Sequence, residues 1–378
     1  MISPAPAAAG RRIRVMIVDD SAVVRGLIAR VLHEDAEIEL VASVDNGRTA
    51  LASLERIPAD VAILDIEMPE MDGLTAIPLL LRKQPGLRIL MASTLTVRNA
   101  EIALKALALG AADYVPKPTA AREMLGATPF NQELLFKVRH LGGRPHSAAP
   151  HDAPPARHAA RHAGSEIALR SLAPVPPQAI AFGSSTGGPQ ALFRVLRDAG
   201  PLRQPVFLTQ HMPPTFTTLL AANIARDCAV AATEAVDGEI VTPGHVYVAP
   251  GNHHMVVTGA PPGPLSIGLN QEPPENFCRP AVDPMLRSLV AAYGPALLVV
   301  ILTGMGHDGL EGCRAVAAAG GSVLAQDQAS SVVWGMPGAV AQAGLCSAVL
   351  PIEQIGARVR EIAGAKGPAR RSIAANAR

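Results

Sequence analysis

Short apolar runs alternate with longer stretches in which apolar positions recur every three or four residues, and the alternation occurs twice along the chain. In the first half, Arg14–Val18, Glu39–Ser43, Val61–Leu64, Arg88–Ala92 and Asp113–Val115 read as strands. Helical patterns such as Ala22–His33 and Ala100–Leu109 fall between them, and Asn131–His140 closes the series. Short continuous or alternating runs suit buried strands, and a 3.6-residue period suits helices packed on them. Repeated strand–helix units predict an α/β domain with a doubly wound, five-stranded parallel sheet over 12–141. The alternation resumes with Ala179–Phe182, Val206–Leu208, His245–Ala249, Leu297–Leu302 and Gly321–Ala325. These runs predict a second α/β domain over 178–366 with a largely parallel central sheet. Between the two, residues 142–177 lose large apolar side chains and gain Pro, Ala, His and Arg, the composition of a flexible connector.

Composition narrows the function. With 33 Lys and Arg against 32 Asp and Glu, the net charge is +1, so no general pull toward nucleic acid or acidic lipid is expected. Aromatic residues make up 3%, too few for base stacking as the main binding mode. No basic recognition helix follows the connector, which argues against a DNA-binding regulator. Cys228, Cys278, Cys313 and Cys346 show no CxxC spacing, so neither a disulfide framework nor a zinc site is expected, and a cytoplasmic location fits. The start MISPAPAAAGRR lacks the apolar core of a signal peptide. The longest apolar run, Ala296–Leu302, is too short to span a bilayer, so no membrane insertion is expected. The connector histidines (His146, His151, His158, His162) are irregularly spaced and read as tether, not as metal ligands.

Ligands of a doubly wound sheet bind beyond the carboxyl ends of its strands. At those ends in the first domain stand Asp19 and Asp20, Asp65, Ser93 with Thr94, and Lys117. Any one aspartate could be a helix cap, as Asp20 or Ser21 could be for the first helix. Carboxylates, a hydroxyl and a lysine recurring at successive strand ends instead suit Mg²⁺ and phosphoryl transfer.

In the second domain three polar loops follow strands. The first, AIAFGSSTGGP over 179–189, breaks a strand into a glycine turn and begins a helix with Pro189 in its first turn. Its Gly183-x-Ser185-x-Gly187 matches a nucleophile elbow, although a packing turn with an incidental serine has the same look. The second loop carries His211 and the third Met305 and Asp308. A serine nucleophile needs a base, and the base needs an orienting carboxylate. Ser185, His211 and Asp308 can supply all three, with His253, His254 and His307 competing for the base and helix capping as the plainer role for Asp308. The order Ser–His–Asp is not that of the α/β-hydrolases.

The segments IVDDSAVVR, LDIEMPEMDGL, MAST and DYVPKP resemble a response-regulator receiver domain of the flavodoxin-like kind. The resemblance implies strand order 2-1-3-4-5 and phosphorylation of Asp65 by a CheA-type histidine kinase. It further implies Mg²⁺ held by Asp19, Asp20, Asp65 and the Glu67 carbonyl, Ser93 and Lys117 as the phosphoryl switch pair, and a cis Lys117–Pro118 bond. GSSTGG, QHMPPTFT, VDGEIVTPGHVYVAPG, RPAVDPML, LTGMGHDG and AQDQASSVVWGMP resemble the Rossmann-like catalytic domain of the chemotaxis protein-glutamate methylesterase (CheB) family. That resemblance implies Ser185 as nucleophile, His211 as base, Asp308 as its partner and the Met305 N–H in the oxyanion hole, with no organic cofactor. Cys278 stands before Arg279-Pro280 where the family often has histidine. The implied substrates are glutamate methyl esters and glutamines of chemoreceptors. The two-domain architecture predicts a receiver that partly covers the Ser185 cleft until phosphorylated, with Tyr114 as a packing switch. Two alternatives stay in view: a receiver-controlled binding regulator with an inactive hydrolase-like domain, and an esterase serving a non-flagellar chemosensory array.

Overall fold

The computed structural model describes residues 11–93, 97–117, 129–143, 167–259 and 263–364. The N-terminal unit runs β1 (Ile13–Val18), α1 (Ala22–His33), β2 (Ile38–Val44), α2 (Gly47–Leu54), β3 (Val61–Asp65), α3 (Gly73–Lys83), β4 (Arg88–Ser93), α4 (Val97–Ala108), β5 (Asp113–Pro116) and α5 (Pro129–Gly142). Its sheet has the order β2-β1-β3-β4-β5, every neighbouring pair parallel, as the receiver resemblance implies. β3 is buried along its whole length because helices cover both faces. Its last residue, Asp65, therefore carries a carboxyl group to the edge of an apolar core.

The C-terminal unit continues with β6 (Ala179–Ser184), α6 (Gly188–Ala199), β7 (Val206–Gln210), α7 (Phe216–Cys228), β8 (Ala231–Glu234), β9 (His245–Val248), β10 (His254–Thr258) and β11 (Ser266–Asn270). Then follow α8 (Val282–Tyr293), β12 (Leu297–Ile301), α9 (Leu310–Ala318), β13 (Ser322–Gln326), α10 (Met336–Gln342), β14 (Ala348–Leu350) and α11 (Ile352–Ile362). Seven parallel strands form one sheet in the order β14-β13-β12-β6-β7-β9-β8. From β6 the chain first builds toward β8 and later returns to lay β12 on the other flank. The order thus reverses between β6 and β12, the place where such sheets open a crevice for ligands. The antiparallel pair β10–β11 stands apart from this sheet.

The expected connector needs a correction at its C-terminal end. Residues 144–166 lie outside the described part, but 167–177 are fixed on the second unit. Arg170 donates from its backbone to Cys346 O at 2.8 Å and from its guanidinium to Ala317 O at 2.7 Å, and Ala173 N donates to Ser322 Oγ at 2.8 Å.

The two units meet through the β5 side of the first. Gln190 of α6 donates to the carbonyls of Leu107 and Ala111, the latter at 2.6 Å. The Tyr114 ring stacks on Phe216 at the start of α7, with centroids 4.6 Å apart and planes 12° from parallel. One apolar cluster joins Met305, Val332 and Val333 to Phe130, Leu134 and Val138 of α5.

Candidate active and phosphorylation sites

Three adjacent strands of the second sheet deliver the candidate catalytic residues. β7, β6 and β12 lie side by side, with Ser184 paired to Gln210 and Gly183 to Ile301, so the chain leaves all three at one level. Ser185 follows β6, His211 follows β7, and Met305 and Asp308 lie in the loop after β12. The serine turn is held by its backbone: Ser185 N donates to Thr303 O at 3.1 Å, and Ser185 O accepts from Gly188 N at 2.7 Å and Gln210 Nε2 at 2.9 Å. Gly187 turns the chain into α6 at φ 76°, where a side chain would be strained and its Cβ would press on Val332. Ser184 is fully buried and bonds Gln210 Oε1 at 2.7 Å, which leaves Ser185 as the half-buried serine of the pair.

His211 Nε2 meets Asp308 Oδ2 at 2.7 Å. The competing histidines are engaged elsewhere. His254 is buried between Pro273 O and Ala281 N, His253 contacts Gly251 O, and His307 is exposed. Asp308 is more than a helix cap. Its two oxygens accept the backbone N–H groups of Val282 at 2.6 Å, Asp283 at 3.2 Å and Gly309 at 2.9 Å, together with Asn276 Nδ2 at 3.0 Å. Val282 and Asp283 open α8, so the carboxylate also sits at a helix N-terminus. Burial opposes its charge, but the bond to His211 and the backbone donors outweigh burial and hold it below the ordinary aspartate range.

The other ring nitrogen, His211 Nδ1, faces Cys278 Sγ at 3.3 Å. Burial disfavours an imidazolium here, but attraction to the Cys278 sulfur and the hydrogen bonds to Asp308 and Cys278 prevail, and the ring is pushed up to about 10. Among the described residues no hydrogen bond joins the Ser185 hydroxyl to His211. The structure thus brings His211 and Asp308 into contact and places Ser185 at the end of the strand next to that of His211. The Met305 N–H donates to no acceptor among the described residues, and Gly304 before it closes on the serine, since a Cβ there would lie 3.1 Å from Ser185 Cβ. Arg279, next to Cys278, spends its guanidinium on Asn252 Oδ1 and the carbonyls of Gln271 and Glu272. Sequence reasoning missed Asn276, which bridges Asp308 and Asp283 at 3.0 Å each, and the Cys278–His211 contact.

The serine turn is also where the first unit lands. Thr186 Oγ1 donates to Asp113 Oδ2, and Gly187 N donates to Ala112 O at 3.0 Å. Tyr114, next in β5, is buried in the contact and its carbonyl accepts from Lys137 Nζ at 2.6 Å.

At the carboxyl edge of the first sheet, one oxygen each from Asp19, Asp20 and Asp65 lie within 4.8 Å of one another. Lys117 Nζ reaches Asp19 Oδ2 at 2.7 Å and Asp65 Oδ1 at 2.8 Å. Burial, with the nearby Asp19 charge, raises Asp65 above its ordinary value although Lys117 pulls the other way. Burial likewise works against a charged Lys117, yet its two carboxylate partners raise it. Crowded, partly buried, oxygen-only donors fit a hard divalent cation such as Mg²⁺. Ser21, not Asp20, caps α1, accepting from Val24 N at 3.3 Å, which leaves the exposed Asp20 carboxylate for that cluster. Glu67 lies exposed two residues beyond Asp65, and Ser93 ends β4 opposite Pro116. The Ser93 side chain, Thr94 and the Lys117–Pro118 bond lie outside the described residues.

Comparison with known proteins adds two family matches: residues 180–359 match CheB methylesterase, and residues 15–128 match the response regulator receiver domain. Over 377 residues the chain is 54% identical to protein-glutamate methylesterase/protein-glutamine glutaminase 1 of Paramagnetospirillum magneticum, covering 96% of this chain and 98% of that one. It is 54% identical over 390 residues to the protein-glutamate methylesterase/protein-glutamine glutaminase of Azospirillum brasilense, covering 95% of each. Among solved structures, the CheB methylesterase catalytic domain of Thermotoga maritima is 38% identical, covers 50% of this chain and 100% of its own, and has a TM-score of 0.47.

Proposed function

The chain belongs to the family of CheB protein-glutamate methylesterase/protein-glutamine glutaminases with a receiver domain, and from that premise we propose how its own residues perform the reaction. It is a chemotaxis adaptation enzyme that hydrolyses glutamate methyl esters and glutamine amides of proteins. Ser185 attacks the ester carbonyl while His211 Nδ1, the nitrogen not taken by Asp308, accepts the serine proton after parting from Cys278. Asp308 fixes the ring and balances the imidazolium. The Met305 N–H donates to the oxyanion, and such a donor is typically worth about 3 kcal/mol of barrier. His211 returns its proton to the departing methoxide, methanol leaves, and water frees the acyl group as glutamate. An amide follows the same course and releases ammonia. The observation that carries this assignment is the 2.7 Å His211–Asp308 bond beside the serine turn, on three neighbouring strand ends.

The receiver's phosphate donor is a kinase, which we take to be CheA-type, and the substrates are receptors of the methyl-accepting kind. Asp65 accepts the phosphoryl group, with Ser93 and Lys117 as its switch contacts. Asp19, Asp20, Asp65 and the Glu67 carbonyl would hold Mg²⁺, which supplies charge neutralisation to phosphoryl transfer. We place the receiver at 12–141, the connector at 142–166 and the catalytic unit from 167. No helix among the described residues is long and apolar enough to cross a membrane. A cytoplasmic site of action follows from the proposed kinase and receptor partners.

Ser185→Ala is expected to abolish methanol release from methylated receptors while Asp65 still takes up phosphate from a small phosphodonor. Wild-type release by that variant would overturn the assignment. Labelling of Ser185 by a fluorophosphonate separates this reading from that of an inactive, binding-only domain.

A further inference from the structure

Phe277 is fully exposed, with a relative accessibility of 101%, and it stands between two residues that hold the catalytic pair. Asn276 bonds Asp308, and Cys278 bonds His211. Glu275 and Cys278 exchange both backbone hydrogen bonds, at 3.1 and 2.8 Å, so Asn276 and Phe277 are the central residues of a two-residue reverse turn. Both have positive φ, 51° and 64°. A turn of this kind favours Asn at its first central position and Gly at its second. Phenylalanine at the second position is strained in its backbone and leaves its whole ring in water, so two independent costs fall on one side chain. Neither cost is offset by a contact among the described residues. The turn is nevertheless anchored, since Glu275 pairs with Arg287 at 3.0 Å and Asn276 with two buried carboxylates. A rigid aromatic beside an active site is a low-entropy anchor for a macromolecular partner.

We propose that Phe277 is a docking residue that packs on apolar side chains flanking the esterified glutamate of the substrate protein. The inference rests on the assignment of Ser185 as the esterase nucleophile. A side-chain ester on a protein offers little for recognition beyond its carbonyl, so contacts beside the ester must present it to the serine. Phe277 is exposed with the receiver in place, so docking is open before the serine is uncovered.

The test uses the full-length protein, with Asp65 unphosphorylated and phosphorylated, and the methylated receptor of its own cell in vesicles. Phe277→Gly is expected to raise KM roughly tenfold, as for a typical hot-spot contact, with kcat near wild type. The same variant weakens vesicle binding by the unphosphorylated protein to a similar degree, and its Tm rises because glycine fits the left-handed turn. Phe277→Tyr keeps the wild-type KM. An unchanged KM overturns the proposal. So does a lower Tm with slower fluorophosphonate labelling of Ser185, because the ring would then be structural. A wild-type dimer lost in Phe277→Gly with KM unchanged assigns the ring to self-association and also overturns it. If Ser185→Ala retained full methanol release, the esterase assignment itself would have failed, a result distinct from any of these.

Discussion

At the scale of single residues, the base is the point of decision. Asp308 holds one imidazole nitrogen and Cys278 the other, so Ser185 and Cys278 compete for Nδ1. Attraction to the sulfur and its hydrogen bond favour the charged ring, and His211 can take the serine proton only once the ring is neutral and has parted from Cys278. Removing the sulfur takes away both an attraction to the imidazolium and a hydrogen bond, which lowers the ring's midpoint. Cys278→Ala is therefore expected to move the acidic limb of kcat/KM to lower pH, and a limb that stays in place or moves upward would refute this. The three residues proposed as a triad stood out as candidates in the sequence because each lies in a polar loop after an apolar strand, and strand ends of a parallel sheet converge. Asn276, Asp283 and the role of Cys278 did not, because they reach the triad from the segment leading into α8, and no periodicity relates that segment to β7 or β12. Phe277 was invisible for a further reason: exposure and φ are properties of the folded turn.

Elements carry the control. β5 and the turn before it lie on the segment that bears Ser185, bonding Thr186 and Gly187, while α4 and that turn receive Gln190. The receiver, the expected cover of the Ser185 cleft, is thus pinned to the first turns of α6. Gln190 touches no catalytic group, yet its amide spans two receiver carbonyls. At about 1 kcal/mol net per hydrogen bond, Gln190→Ala should favour the uncovered form and raise methanol release by the unphosphorylated protein roughly fivefold or more. Release at the wild-type level would show that these bonds do not hold the cover. A tighter constraint governs the phosphorylation loop. A Cβ on Gly73 would sit 2.2 Å from the Asp65 carbonyl oxygen, so α3 can start only where glycine allows it. Gly73→Ala should lower receiver stability by about 1–3 kcal/mol in urea titration, and an unchanged midpoint would contradict the close approach. The strands that periodicity missed are β8, β10, β11 and β14. β8 is short and half polar, and β14 is an apolar run of only three residues, so neither shows the long continuous run that marked β12. β10 and β11 form a separate antiparallel pair whose mixed burial gives no clean alternation.

Over the whole molecule, one short strand links the two sites. Lys117, just past β5, binds Asp19 and Asp65, and Asp113, at the start of β5, accepts from Thr186 beside Ser185. These residues are separated by one strand length, roughly 13 Å. Phosphorylation of Asp65 replaces the single charge of its carboxylate with about two on the phosphoryl group next to Lys117 and draws on the same ammonium that now bridges the carboxylates. β5 is held at both ends, so a shift of Lys117 bears on Asp113 and on the Tyr114–Phe216 stack without any further connecting part. A switch of this kind requires the phosphorylated receiver to bind the catalytic unit less well than the free one, since a charge acting equally on both states would move nothing. Lys117→Met keeps Asp65 as phosphate acceptor but removes the charge through which the strand is pulled. In that variant the phosphodonor is expected to label Asp65 while methanol release no longer rises. A full rise on phosphorylation would mean that the signal leaves Asp65 by a route other than β5, and the Gln190→Ala variant would then still report whether the cover itself had been located correctly.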